Sequence, residues 1–84
     1  MRILVLSDSH GCVDPMQQCV ELVQPQAILH LGDCARDADR LGPLVDRSGD
    51  FWVMNPGCIG PSPRRTYGVI TLEDGRVDCA ALRL

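Results

Sequence analysis

Two short apolar runs, each halted by a turn that carries an aspartate, bracket one amphipathic stretch near the start of the chain. That order leaves few folds open. Residues 2–7 form a leucine-rich and β-branched run that stops at a polar loop, as a strand buried in a parallel sheet does. Asp14-Pro15 then signals a helix start, with Asp14 as the expected N-cap and Pro15 at the first helical position, where its missing N–H costs nothing. Met16, Cys19, Val20 and Val23 recur at helical spacing, so one stripe should face a sheet, and Pro25 prevents continuation. Ala27-Ile28-Leu29-His30-Leu31 reads as a second strand, closed by Gly32-Asp33. The three segments make a β-α-β unit, whose crossover should be right-handed.

Farther along, residues 35–45 suggest a brief helix interrupted at Gly42-Pro43, and the polar segment 46–50 suggests a loop. Phe51-Trp52-Val53-Met54 reads as a third strand. Residues 55–63 (Asn-Pro-Gly-Cys-Ile-Gly-Pro-Ser-Pro) are dense in turn formers and are expected at the surface. Thr66–Leu72 and Arg76–Leu84 flank Glu73-Asp74-Gly75, and Asp-Gly between two apolar strands signals a tight hairpin. The expected fold class is α/β, in a single domain over residues 1–84. A domain of this size buries only about two-thirds of the surface its unfolded chain exposes, so its stability margin is thin.

Composition narrows the class of partner. Hydrophobic residues make up 45% and charged residues 23%, which suits a folded globular chain and not a disordered one. A net charge of -3 disfavours nucleic acid and anionic membranes as partners. No apolar run approaches the roughly 20 residues of a membrane span. The apolar run at the start is shorter than the roughly 7–15 residues of a signal-peptide core, which leads us to expect a cytoplasmic protein. The five cysteines (Cys12, Cys19, Cys34, Cys58 and Cys79) are odd in number and show no C-x-x-C spacing, so reduced thiols are expected rather than a disulfide framework.

The chemistry gathers at the strand ends. Asp8 and His10 stand two apart after the first run, and on an extended backbone side chains two apart point the same way. Asp33 follows the second run, and in a parallel sheet the two carboxyl ends lie side by side, where ligands of open α/β folds bind. Gly11 and Gly32 allow sharp turns beside these residues. A mixed Asp and His set suits borderline divalent ions such as manganese, zinc, iron or nickel better than calcium. Taken singly, each residue has an ordinary reading: Asp8 caps a loop, His10 is a loop residue, and Asp33 sits in a turn. Their joint placement at two strand ends points instead to a metal site. A cysteine-based site from Cys12, Cys34 and His10 is the lesser alternative, since its spacing matches no usual zinc pattern.

These segments resemble a known family. Met1-Arg2-Ile3-Leu4-Val5-Leu6-Ser7-Asp8-Ser9-His10-Gly11 is similar to the opening of the calcineurin-like metallophosphoesterases, with their D-x-H motif. Leu29-His30-Leu31-Gly32-Asp33 resembles their G-D motif, in the form seen in the small phosphodiesterases of the YfcE type. Asn55-Pro56-Gly57-Cys58-Ile59-Gly60 and Pro63-Arg64 resemble the N-P-G-S loop and the following P-R. The resemblance implies a two-sheet sandwich, here reduced to an N-terminal β-α-β unit followed by a C-terminal strand and hairpin. It implies a phosphoesterase that uses two divalent metals, with a metal-bound hydroxide attacking phosphorus. Carried over residue by residue, Asp8 and His10 hold the first metal, Asp33 bridges both, and Arg64 approaches a substrate phosphate.

The chain also departs from the family. Its G-N-[CDH]-[DE] motif, a following ligand histidine and the G-H-x-H motif have no counterpart in residues 34–54, which contain neither histidine nor asparagine. One metal at most is therefore expected. His30, the only histidine besides His10, is expected to be structural. Three outcomes stay open: an active phosphodiesterase or phosphatase acting on a small phosphate ester, a non-catalytic metal-binding or assembly module, or an internally deleted inactive relative. Missing middle strands would leave sheet edges unpaired, so the chain is expected to be unstable alone or to form a homodimer.

Overall fold

The computed structural model describes residues 1–32, 44–48, 51–60 and 64–84. Seven elements follow in order: β1 (Arg2–Leu6), α1 (Val13–Val23), β2 (Ala27–His30), β3 (Leu44–Ser48), β4 (Phe51–Asn55), β5 (Thr66–Glu73) and β6 (Arg76–Arg83). The main sheet runs β2-β1-β5-β6, and β3 and β4 form a second, two-stranded sheet. β1 is parallel to β2, with Leu4 beside Ile28 and Leu6 beside His30. On its other side β1 is antiparallel to β5, with Leu4 opposite Val69. The mixed α/β class and the expected β-α-β unit with a C-terminal hairpin are what the chain forms.

Alternation along β1 and β5 sorts the two faces of the sheet. On one face Leu4, Leu6, Tyr67 and Val69 form a core with Cys19 and Val23 of α1 and with Ile59. Met16 and Val20 pack against this cluster, so the apolar stripe of the helix meets the sheet as its spacing requires. On the opposite face a Cβ at Gly68 would lie 3.0 Å from Met54 Sδ and 3.2 Å from Pro56 Cβ. Glycine there lets the end of β4 settle directly on the sheet, and both β3 and β4 contact β6. The result is helix, sheet and hairpin in three layers.

The hairpin turn follows from its residues. Glu73 pairs with Arg76, and Asp74 and Gly75 take φ of 49° and 76°. Both central residues are left-handed, as a type I′ turn demands. Other expectations are corrected. The helix begins at Val13, with Cys12 at the N-cap and Asp14 in the first turn, where its charge still favours the helix dipole. Leu44–Ser48 is strand where the end of a helix and a loop were expected, because it pairs antiparallel with β4; the remainder of that expected helix, residues 35–43, lies outside the described residues. Residues 56–60 are not a surface loop: Pro56, Gly57, Ile59 and Gly60 are buried. Among the exposed large apolar residues are Ile28 and Leu29 of the edge strand β2 and Leu31 just after it. No helix among the described residues is long and apolar enough to cross a membrane.

Burial pushes the Cys19 thiol up from 9.0 to about 11, because the thiolate has no water to solvate it in the core. The unfolded chain therefore releases this proton at lower pH than the folded one. The stabilisation is complete below pH 9 and is lost as pH rises towards 11. Tyr67, raised by the same burial, acts in the same direction. We expect the urea midpoint to fall across that alkaline window, and Cys19→Ala to flatten part of the fall.

Candidate metal centre

The parallel ladder continues past the last strand residues. Leu31 N–H donates to the Leu6 carbonyl at 2.9 Å, and Asp8 N–H donates to the Gly32 carbonyl at 2.8 Å. The Ser7 hydroxyl lies 2.9 Å from Asp8 Oδ2 and 3.3 Å from the same Gly32 carbonyl. The residue before Asp33 is thereby tied directly to the backbone and the carboxylate side of Asp8. Asp33 itself lies outside the described residues.

Asp8 is 1% exposed, an unusual place for a carboxylate without strong partners. Its φ is 56°, and that of His10 is 48°. Left-handed backbone costs an L-residue about 1–2 kcal/mol, less for aspartate, and such outliers gather at functional sites. The extended backbone expected across Asp8-Ser9-His10 is therefore corrected. β1 ends at Leu6, the chain coils through two left-handed residues, and Cys12 N–H closes the turn on the Ser9 carbonyl at 2.9 Å. Asp8 ends up buried and His10 exposed.

A second loop braces the first. Ile59 N–H donates to the Ser7 carbonyl at 3.1 Å, and Cys58 Sγ donates to the Asp8 carbonyl at 3.4 Å. Asn55 Oδ1 accepts from Gly57 N–H at 3.1 Å, which folds the Asn-Pro-Gly turn on itself. A Cβ at Gly60 would fall on the Asp8 carbonyl oxygen and lie 2.8 Å from that of Ser9. Only glycine permits so close an approach. The glycine-rich segment is thus the back wall of the site, and this explains its burial.

Arg64, the expected phosphate contact, is exposed. Its neighbour Arg65 is partly buried and donates from Nε to the Gly60 carbonyl at 3.0 Å. Arg65 also lines a cleft of about 520 Å³ with Gly11, Cys12, Asp14 and Gln18 at the start of α1. The resemblance singled out Arg64 alone, and no local signal marks Arg65. His30 was expected to be structural. Its ring bonds Ser9 Oγ at 2.9 Å and Gly32 N–H at 3.0 Å, a contact that only the parallel register reveals.

The donor chemistry fits a divalent cation. Asp8 supplies a carboxylate whose Oδ2 accepts from Ser7, the kind of outer hydrogen bond that orients a ligating group, and His10 supplies an imidazole. No group of three or more His, Cys, Asp or Glu able to hold a metal forms among the described residues, and Asp33 lies outside them. Asp33 is the candidate third ligand, and Cys34 of the alternative cysteine site lies outside the described residues too.

A family model of the calcineurin-like phosphoesterases matches residues 1–73, a span that contains Asp8, His10, Asp33 and Arg64. The chain belongs to this family, whose members use divalent metals. Neither a curated protein nor a solved structure matches it significantly.

Gly60→Ala should force the back wall away from Asp8 and Ser9. We expect a loss of about 1–3 kcal/mol in urea unfolding, the usual cost of overpacking a filled space. Gly75→Ala, whose Cβ would meet nothing within 4 Å, gives the comparison for turn strain alone.

Proposed function

We propose that this chain binds one divalent cation, manganese, zinc, iron or nickel, through Asp8, His10 and Asp33. We propose further that it serves hydrolysis of a small phosphate ester, a phosphodiester as in the YfcE-type members or a phosphomonoester. The buried Asp8 carboxylate, tied at the β1 end to the residue before Asp33, carries this reading. A bound cation would supply a water nucleophile at neutral pH and offset charge developing on the phosphoryl oxygens. Ser7 keeps the Asp8 carboxylate in one orientation, and the Gly60 wall keeps the turn from relaxing. Arg64 offers a charged fork to the substrate phosphate. Net charge favours a small phosphate ester over nucleic acid or an anionic membrane, and the short apolar run at the start supports a cytoplasmic setting.

The same residues limit the activity. Of the two histidines, His10 is assigned to the cation and His30 is engaged with Ser9 and Gly32, so neither is placed to protonate a leaving group. Hydrolysis at family rates then needs groups from a second molecule. A second reading, a non-catalytic metal-binding and assembly module, is favoured by the exposed Ile28 and Leu29 of the edge strand β2 and Leu31 just after it.

Calorimetric titration with manganese and zinc, on the native chain and on Asp8→Asn, tests the first reading. Micromolar binding should weaken more than about 100-fold in the variant, since a lost ligand costs at least as much as a lost outer-shell partner. Equal binding by the two proteins would overturn the assignment. Asp33→Asn should abolish any hydrolysis of a chromogenic phosphodiester, and turnover that persists in that variant would point to a contaminating enzyme.

A further inference from the structure

The imidazole of His30 joins the two segments that carry the proposed ligands. We infer that His30 is a positioning residue for the cation site. It would hold the turn bearing Asp8 and His10 in register with the glycine that precedes Asp33. The inference rests on the metal reading above and deepens it.

The hydrogen-bond chemistry fixes the state of the ring. Gly32 N–H can only donate, so Nδ1, 3.0 Å away, accepts. In a neutral imidazole the proton then sits on Nε2, which donates to Ser9 Oγ at 2.9 Å. Ser9 is the residue between Asp8 and His10, and its carbonyl already accepts from Cys12 N–H. Gly32 is held on both sides of its own Cα: its N–H by His30, and its carbonyl by Asp8 N–H and the Ser7 hydroxyl. One side chain therefore spans the D-S-H turn and the G-D turn. The Ser7 hydroxyl also reaches the Gly32 carbonyl, from the strand side.

Placement in the sheet explains why His30 is suited to this. It is the last residue of β2 and lies beside Leu6, the last residue of β1. Beyond that point Asp8 and His10 leave regular structure with left-handed backbone. Past the Asp8–Gly32 backbone bond the turn has no further ladder to hold it. The imidazole, rigid and with two nitrogens at a fixed separation, adds a side-chain cross-link at Ser9. Because both ring nitrogens are engaged, His30 acts on a bound cation through position and not as a ligand. It is also exposed, so removing it leaves the packed core intact.

The test compares manganese affinity by calorimetry in the full chain and in His30→Ala, His30→Asn, His30→Gln and Ser9→Ala. Asparagine keeps an acceptor near Nδ1 for Gly32, and glutamine keeps a polar group near Nε2 for Ser9. His30→Ala should weaken manganese binding about 10–100-fold, the usual cost of losing an outer-shell partner, while its thermal midpoint changes little. Each conservative variant should recover part of that loss, and Ser9→Ala should lose part of it. Nitrogen-15 shifts of the imidazole, read without metal, should report a proton on Nε2. Native binding left unchanged by His30→Ala, or a proton found on Nδ1, would overturn the positioning role while the metal reading stands. No binding by the native chain would overturn the metal reading, and with it this role.

Discussion

The interaction on which the site depends is the hydrogen bond from Asp8 N–H to the Gly32 carbonyl. It extends the β1–β2 ladder one step beyond the strands, into segments that have no regular backbone of their own. A parallel pair offers this chance because both carboxyl ends emerge at the same edge. Once Gly32 is fixed there, the Ser7 hydroxyl and the His30 ring can close on it from either side. The turn can then tolerate left-handed Asp8 and His10, because the strain, about 1–2 kcal/mol and less for Asp8, is opposed by several bonds at once. Removing any one of them leaves the others to bear it.

Most of the sheet was legible in the sequence because it is written in short-range rules. The run from Arg2 to Leu6, the stripe of Cys19 and Val23, and the Asp74-Gly75 turn each satisfy a local period or a local backbone demand. The departures have a common cause. Leu44–Ser48 carries polar residues and becomes strand only because β4 lies beside it. The Pro-Gly segment at 56–60 looks like a surface turn until its glycine is seen against the Asp8 and Ser9 carbonyls. In both cases a distant partner overrode local propensity.

The candidate site divides along the same line. Asp8, His10, Asp33 and Arg64 could be named from motif and placement. Their geometry could not, because the extended spacing assumed for Asp8 and His10 fails where the turn coils. Ser7 reaches the Gly32 carbonyl, the His30 ring reaches Ser9 Oγ, Gly60 lies against the Asp8 and Ser9 carbonyls and Arg65 donates to the Gly60 carbonyl, and a motif does not record such contacts. Family membership comes from the match over residues 1–73, and the buried Asp8 carboxylate with its braces is where we propose a cation would bind.

The sheet is assembled from residues far apart in the chain. β1 lies between β2 and β5, and the Met1 ammonium donates to the Leu72 carbonyl across a separation of 71 residues. The β5–β6 hairpin can form by itself within microseconds, since its turn is two residues long. β1 has no such neighbour on that side and must find the hairpin by closing a loop that includes nearly all the chain between them. Closure entropy rises only slowly with loop length, so the length of the intervening segment matters little to stability and more to the rate of folding. A chain built this way can lose or gain residues in its middle and still complete the same central sheet, arriving there late in folding.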